Sequence, residues 1–137
     1  VGITSPQFAQ IADYGCAYGR NTLECAQFVV RELLDLDRVH IINQAEQQRA
    51  QPIPEQTHGF QYFFVDLPSN DFNTLFQMLD NLDFAKFYKE LRLLPVGVPG
   101  SFYNRVLPKG SVDFAIATYS LHWLSQVCYY SIGFRFL

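Results

Sequence analysis

No apolar run in this sequence approaches the roughly 20 residues needed to span a bilayer, which argues against a membrane-crossing helix. The opening stretch, VGITSPQFAQ, lacks a basic region followed by an apolar one, so it does not read as a secretion signal. It also lacks an initiator Met, and the expectation is that upstream residues are missing or removed. Positive charge is scarce: ten Lys and Arg against thirteen Asp and Glu leave a net charge of −3. That balance provides no general electrostatic reason to bind nucleic acid or an anionic membrane. Cysteine is scarce as well. Cys16, Cys25 and Cys128 are odd in number, form no CxxC pair and are too few for a disulfide framework. A reduced, cytoplasmic setting is expected, with Cys16 a small buried residue rather than a reactive thiol.

What is present is apolar and aromatic. Hydrophobic residues make up 49% of the 137 positions and charged residues 17%, a mixture too apolar for a disordered chain and long enough for one core. QIADYG reads as a short strand ending in Asp13 and Gly15. Asn21 is placed as a helix cap, with Glu24 reaching back to the exposed amide. Leu23, Ala26, Val30, Leu33 and Leu34 fall at helical spacing over Thr22–Leu36. Asp37–Gly59 is polar, rich in Gln and Pro, and reads as a solvated connector. FQYFFVDLP returns to strand character and ends at Asp66. Ser69 or Asn70 can cap a helix over Asp71–Leu82, and a second helical piece follows over Phe84–Arg92. LLPVGVPG is a third, buried strand, and Val112–Thr118 a fourth. Strand alternating with helix predicts an α/β fold with a mostly parallel sheet and helices on its faces.

Two acids stand at strand tips. The first, Asp13, opens DYGCAYGRN, a D-x-G-x-x-x-G loop between strand and helix. Glycine lets such a backbone turn sharply and approach a ligand, although a plain strand-to-helix turn has the same composition. The loop is not the dinucleotide pattern G-x-G-x-x-G, because Cys16-Ala17 follow Gly15; a nicotinamide- or flavin-binding domain is disfavoured accordingly. The second acid, Asp66, suits the hydroxyls of a ribose, or equally a turn. On consecutive parallel strands both acids belong to the carboxyl edge of the sheet, where such folds bind ligands. Together they favour a nucleoside with a positive centre, a description that S-adenosylmethionine fits. Downstream, DFAIATYSLHWLSQ sets Tyr119, Ser120, His122 and the only tryptophan, Trp123, just past a strand end.

ADYGC, DLPSNDFN, VPGSFYNRVLP and YSLHWLSQ, in this order over roughly Ile11 to Gln126, resemble the SABATH family. These are plant-type S-adenosylmethionine-dependent methyltransferases acting on the carboxylates of salicylate, benzoate, jasmonate and similar acids, or on xanthine nitrogens. The resemblance implies the N-terminal part of a Rossmann-like class I methyltransferase sheet over residues 1–126, followed by a divergent tail, 127–137. It implies that Asp13 and the Gly15–Gly19 loop, with Cys16 and Gly19 in it, hold the methionine part of the donor, and that Asn21 and Thr118 belong to the same donor site. Asp66 and Leu67 should take the ribose. Ser101 should hydrogen-bond the adenine and Phe102 stack on it. Tyr119, His122 and Trp123 should line the pocket of a small carboxylic acid, and intact members should form homodimers.

This chemistry needs no general base, since a carboxylic acid is already ionised at neutral pH. What remains is alignment of two reactants, an advantage on the order of 7–11 kcal/mol. Trp123 offers an N–H donor that takes no proton, and neutral His122 offers another; together they can orient a carboxylate. Departures from the family pattern fall in the glycine loop, where Tyr18 adds bulk and Arg20 positive charge, and at Thr118, usually Ser. His40 and His58 match no motif and are read as surface residues. The expectation is a truncated member, lacking an upstream segment and a helical cap, in which the fourth strand becomes an apolar edge and the chain a marginal half-domain. The alternative is an inactive remnant that at most binds the donor or a partner chain.

Overall fold

The structure, a computed structural model, describes residues 8–48, 59–118 and 120–123. The chain runs β1 (Phe8–Tyr14), α1 (Arg20–Gln48), β2 (Gly59–Asp66), α2 (Phe72–Leu79), α3 (Leu82–Glu90), β3 (Leu93–Pro99) and β4 (Phe114–Ile116), then a 3-10 turn over Leu121–Trp123. The strands form one sheet in the order β3-β2-β1-β4, and every pairing is parallel. The fold is therefore the α/β, parallel sheet that the alternation of elements implied, in the Rossmann-like form that the family resemblance implied. The order reverses beside β1, where the chain returns past β2 to lay β4 on the far side. Such a reversal opens a crevice at the carboxyl ends of the strands.

Side-chain alternation sorts the core into two layers. Ile11, Phe60, Tyr62 and Phe64 point to the face where Leu23, Ala26, Val30 and Leu34 of α1 pack with Leu75, Leu79, Phe84 and Phe87. Ala12, Phe63 and Val65 point to the other face, against Val96, Val98, Val106, Leu107 and Val112. All the described helices thus lie on one face. The two crossovers β1-α1-β2 and β2-α2-α3-β3 step the same way across the sheet, and right-handed crossovers stepping one way stack their helices together. The connection from β3 to β4 carries no helix and supplies Val106, Leu107 and Val112 to the second face.

Several local expectations are corrected. The polar stretch after Leu36 is not a connector at first: α1 continues to Gln48. Between Asp37 and Gln48 the sequence has neither Gly nor Pro to end a helix, and Ala, Glu and Gln sustain one. Asn21 is not the cap either, because α1 begins one residue earlier, and Glu24 bonds the Arg20 guanidinium at 2.7 Å instead of a backbone amide. The cap of α2 is Asp71, whose carboxylate accepts from the Thr74 N–H at 2.9 Å and from its hydroxyl at 2.6 Å. Neither Ser69 nor Asn70 takes that place; the Asn70 amide instead donates to the Ala17 carbonyl at 3.0 Å.

The third strand was expected to be buried, yet among the described residues β3 is an edge, with Leu94 48% exposed. Pro95 and Pro99 explain this, since a residue without an N–H is tolerated where no second neighbour needs one. The fourth strand shortens from the expected seven-residue span to Phe114–Ile116. Its entry is set by Asp113, whose N–H donates to the Gln10 carbonyl and whose carboxylate accepts from the Gln10 N–H, both at 2.8 Å.

Candidate functional site

A cavity of about 480 Å³ opens at the carboxyl ends of the strands. Its lining comes from the turn after β1 (Gly15, Ala17), the tip of β2 (Asp66, Leu67), the turn after β3 (Ser101, Phe102, Tyr103) and the segment after β4 (Ser120, Trp123). Each contribution follows a strand end, so the parallel pairing alone gathers residues scattered over the sequence.

The turn after β1 is tied to its neighbours. The Gly15 and Cys16 N–H groups donate to the Val65 carbonyl at 2.8 and 3.2 Å. Gly15 has φ of 76°, open to glycine without a Cβ penalty, and a Cβ there would run into the Ser120 side chain. Ala17 also holds a left-handed φ, 61°, rarer for a residue with a Cβ. It is kept there by Asp66, whose Oδ2 accepts from the Ala17 N–H at 2.7 Å while Oδ1 accepts from the Leu67 N–H at 2.7 Å. Asp66 therefore clamps two tips together, and each of its oxygens keeps a lone pair for a further donor.

After β3 the Ser101 carbonyl closes a turn with the Asn104 N–H at 2.9 Å, and Ser101 Oγ accepts from the Tyr103 N–H at 3.3 Å. The Phe102 and Tyr103 rings lie 5.2 Å apart with planes tilted by 35°, an aromatic pair lining the same cavity as Asp66. The Tyr103 hydroxyl donates to the Trp123 carbonyl. Buried Ser120 donates from Oγ to the Tyr14 carbonyl at 2.6 Å, joining β1 to the segment that carries Trp123. The Trp123 side chain is 70% exposed, and its ring pairs with His122 at 5.1 Å.

Asp13 lies elsewhere. It is on β1 but points under α1, only 1% exposed and outside the lining. Its Oδ2 receives a long hydrogen bond, 3.4 Å, from the Tyr62 hydroxyl, and its Oδ1 has no partner among the described residues. Burial pushes its carboxyl up to about 6, the Tyr62 hydroxyl opposing and the Asp66 carboxylate reinforcing the rise. Burial, then the Asp13 carboxylate, pushes the Tyr62 phenol up in turn, so it stays neutral. Cys16 is buried too; its thiol donates to the Ala17 carbonyl at 3.2 Å, and its carbonyl accepts from the Thr22 hydroxyl. Burial and then the Asp13 and Asp66 carboxylates push that thiol far up, which makes it unreactive.

Of the residues singled out from the sequence, Gly15, Asp66, Leu67, Ser101, Phe102 and Trp123 meet at the cavity. Asp13, Cys16, Gly19, Asn21, Thr118 and His122 do not line it. Asp13 and Cys16 are held inside the core, Asn21 is exposed on the first turn of α1, and Thr118 is exposed beside the Cys25 thiol. Tyr18 is exposed, and Arg20 pairs with Glu24, so neither enters the cavity. Tyr119, His58 and Cys128 lie outside the described residues, as does the His40 side chain. The lining adds Ala17, Tyr103 and Ser120. Ser120 and Tyr103 adjoin residues already singled out, but no sequence pattern marks an alanine for a left-handed turn.

The comparisons with known proteins agree with this geometry. A family model described as SAM dependent carboxyl methyltransferase matches residues 2–131. Indole-3-acetate O-methyltransferase 1 of Oryza sativa subsp. japonica is 38% identical, covering 90% of this chain and 31% of the relative. Loganic acid O-methyltransferase of Catharanthus roseus is 40% identical over 86% of this chain and 26% of its own. Among solved structures, a loganic acid methyltransferase with SAH matches at 36% identity and a TM-score of 0.59, covering 91% of this chain and 29% of that one. The chain spans less than a third of the length of these curated relatives.

Proposed function

The chain belongs to the SAM dependent carboxyl methyltransferase family, and from that premise we propose that it carries the donor-binding part of an enzyme methylating the carboxylate of a small organic acid. One observation carries the reading: a carboxylate, Asp66, and a tilted aromatic pair, Phe102 and Tyr103, line one cavity at the carboxyl ends of the strands. That donor set fits S-adenosylmethionine. Asp66 has lone pairs for ribose hydroxyls, Leu67 adds apolar contact, Ser101 has a hydroxyl for a base edge, and Phe102 with Tyr103 suits a planar heterocycle. The turn Gly15–Ala17, its amides already bonded to Val65 and Asp66, is left to border the amino-acid end.

When bound, such a donor supplies an electrophilic methyl group; a carboxylate oxygen takes it as the carbon–sulfur bond breaks, leaving an ester and a thioether. The protein's task is to bind, align and dry the reactants. Trp123, with an indole N–H that stays protonated, suits one carboxylate oxygen, and His122 beside it suits the other. Tyr119 is proposed for the same pocket. Of the remaining proposed donor residues, Cys16 and Gly19 shape the β1–α1 turn through their carbonyls, which accept from the Thr22 hydroxyl and the Thr22 N–H. Asp13, Asn21 and Thr118 are proposed for the donor site from outside the cavity lining. Residues 1–126 are taken as the donor-binding domain and 127–137 as a divergent tail, in a cytoplasmic protein that forms homodimers when intact. No helix among the described residues is long and apolar enough to cross a membrane.

Calorimetry with S-adenosylhomocysteine, S-adenosylmethionine and NAD tests the reading. The two adenosyl-sulfur compounds should bind, and Asp66→Ala should abolish binding by releasing both Ala17 and Leu67 as well as removing the acceptor. Preference for NAD overturns it. A second reading, an inactive remnant that binds only the donor or a partner chain, is favoured by the open position of Trp123. A radiolabelled methyl-transfer assay over a panel of carboxylic acids separates the two.

A further inference from the structure

Tyr103 is attached to both halves of the site. Its N–H donates to Ser101 Oγ at 3.3 Å and its ring lies 5.2 Å from that of Phe102, so it belongs to the turn proposed to meet a planar base. Its hydroxyl reaches across the cavity to the Trp123 carbonyl. The short turn Leu121–Trp123 is therefore pinned at two places. At its start, buried Ser120 donates from Oγ to the Tyr14 carbonyl at 2.6 Å, and its own carbonyl accepts from the Trp123 backbone N–H at 3.1 Å. At its end, the phenol holds Trp123. The indole itself is 70% exposed, so packing holds it weakly, and the hydrogen bond at its carbonyl matters more to its position.

Resting on the donor-site reading above, we infer that Tyr103 is a positioning residue that couples occupancy of the donor end of the cavity to the placement of the Trp123 indole. A planar base seated against Phe102 and Tyr103 restricts the Tyr103 ring. The phenol oxygen is rigidly part of that ring, so restricting it restricts the Trp123 carbonyl and the indole beyond it. The acceptor-facing indole then takes its working position once the donor is in place.

Trp123 is the only tryptophan in the chain, which makes the coupling directly readable. S-adenosylhomocysteine is titrated into the protein while calorimetry follows binding and indole emission, with acrylamide quenching, follows Trp123. The expected result is binding heat together with a shift in emission and reduced quenching. In Tyr103→Phe, brought to saturation by calorimetry, the emission and quenching changes should be lost. Heat in the wild-type protein with no change at the indole overturns the coupling while leaving the donor site standing, and this arm needs no variant to fold. A full indole response in Tyr103→Phe also overturns it, as does a Tyr103→Phe protein that folds by circular dichroism but no longer binds, since the hydroxyl would then serve the donor itself and not the tie to Trp123. Absence of heat in the wild-type protein refutes the donor site itself, and the coupling with it.

Discussion

The carboxyl group of Asp13 sits in the wrong solvent for its charge. Burial raises it to about 6, and the Tyr62 hydroxyl at 3.4 Å relieves the cost only in part. An acid whose pKa is raised on folding favours the folded state while it is protonated. That contribution is complete below about pH 4 and is lost as the pH rises through about 6; at neutral pH it amounts to a deficit of about 3 kcal/mol. Asp13→Asn keeps an acceptor for Tyr62 and removes the charge. Its stability relative to the wild-type protein should therefore climb between about pH 4 and pH 6 and stay level above, as read from urea midpoints across that range. A difference independent of pH would mean that Asp13 is not the buried acid described. Asp66, the other strand-tip acid, shows the opposite use of a carboxylate: it lines the cavity and closes two turns at once through the Ala17 and Leu67 amides.

Among the elements, α2 shows how a boundary depends on one side chain. Its eight residues bury only Leu75 and Leu79, and its free amides begin at a cap rather than in a core. The Asp71 carboxylate takes both the Thr74 hydroxyl and its N–H, and these bonds, the hydroxyl first, hold the carboxyl below its ordinary range. A lowered acid stabilises the fold above its unfolded pKa and loses that contribution as the pH falls through the folded value. Asp71→Ala should lower the melting temperature at neutral pH, and the difference should vanish on acidification; a persistent difference would assign the effect to packing. The helix also guards β3, since a Cβ at Gly97 would stand 3.0 Å from the Phe76 ring and 3.3 Å from that of Phe72.

For the molecule as a whole, the two sheet edges are treated differently. β3 carries Pro95 and Pro99, which cannot donate to an incoming strand. β4 carries no such guard: among the described residues it has a neighbour on one side only, and Phe114 is 42% exposed. An apolar, unguarded edge is a template for association. Phe114→Lys should reduce concentration-dependent self-association, measured by sedimentation or light scattering at fixed ionic strength. Unchanged association would locate the sticky surface elsewhere, the exposed Trp123 being the next to test.

The sequence by itself determined the kinds of elements, their order and the chemistry at their ends. Periodicity in Leu23, Ala26, Val30 and Leu34, and strand composition in FQYFFVD, depend on neighbours a few positions away, so a linear reading captures them. Asp66 and Trp123 were legible for a related reason: in parallel strands, residues just past each carboxyl end share one edge; Ser101 and Phe102 were singled out only through the resemblance carried by VPGSFYNRVLP. Only the tertiary structure decided which way each tip residue points and which strand stands at an edge. Asp13 turned into the core because, in this register, it alternates onto the face that α1 covers, along with Ile11. Ala17 and Tyr103 entered the site through hydrogen bonds they donate to residues 49 and 20 positions away, respectively. Contacts of that kind leave no periodic trace in the chain, because they exist only once β1, β2 and β3 are side by side.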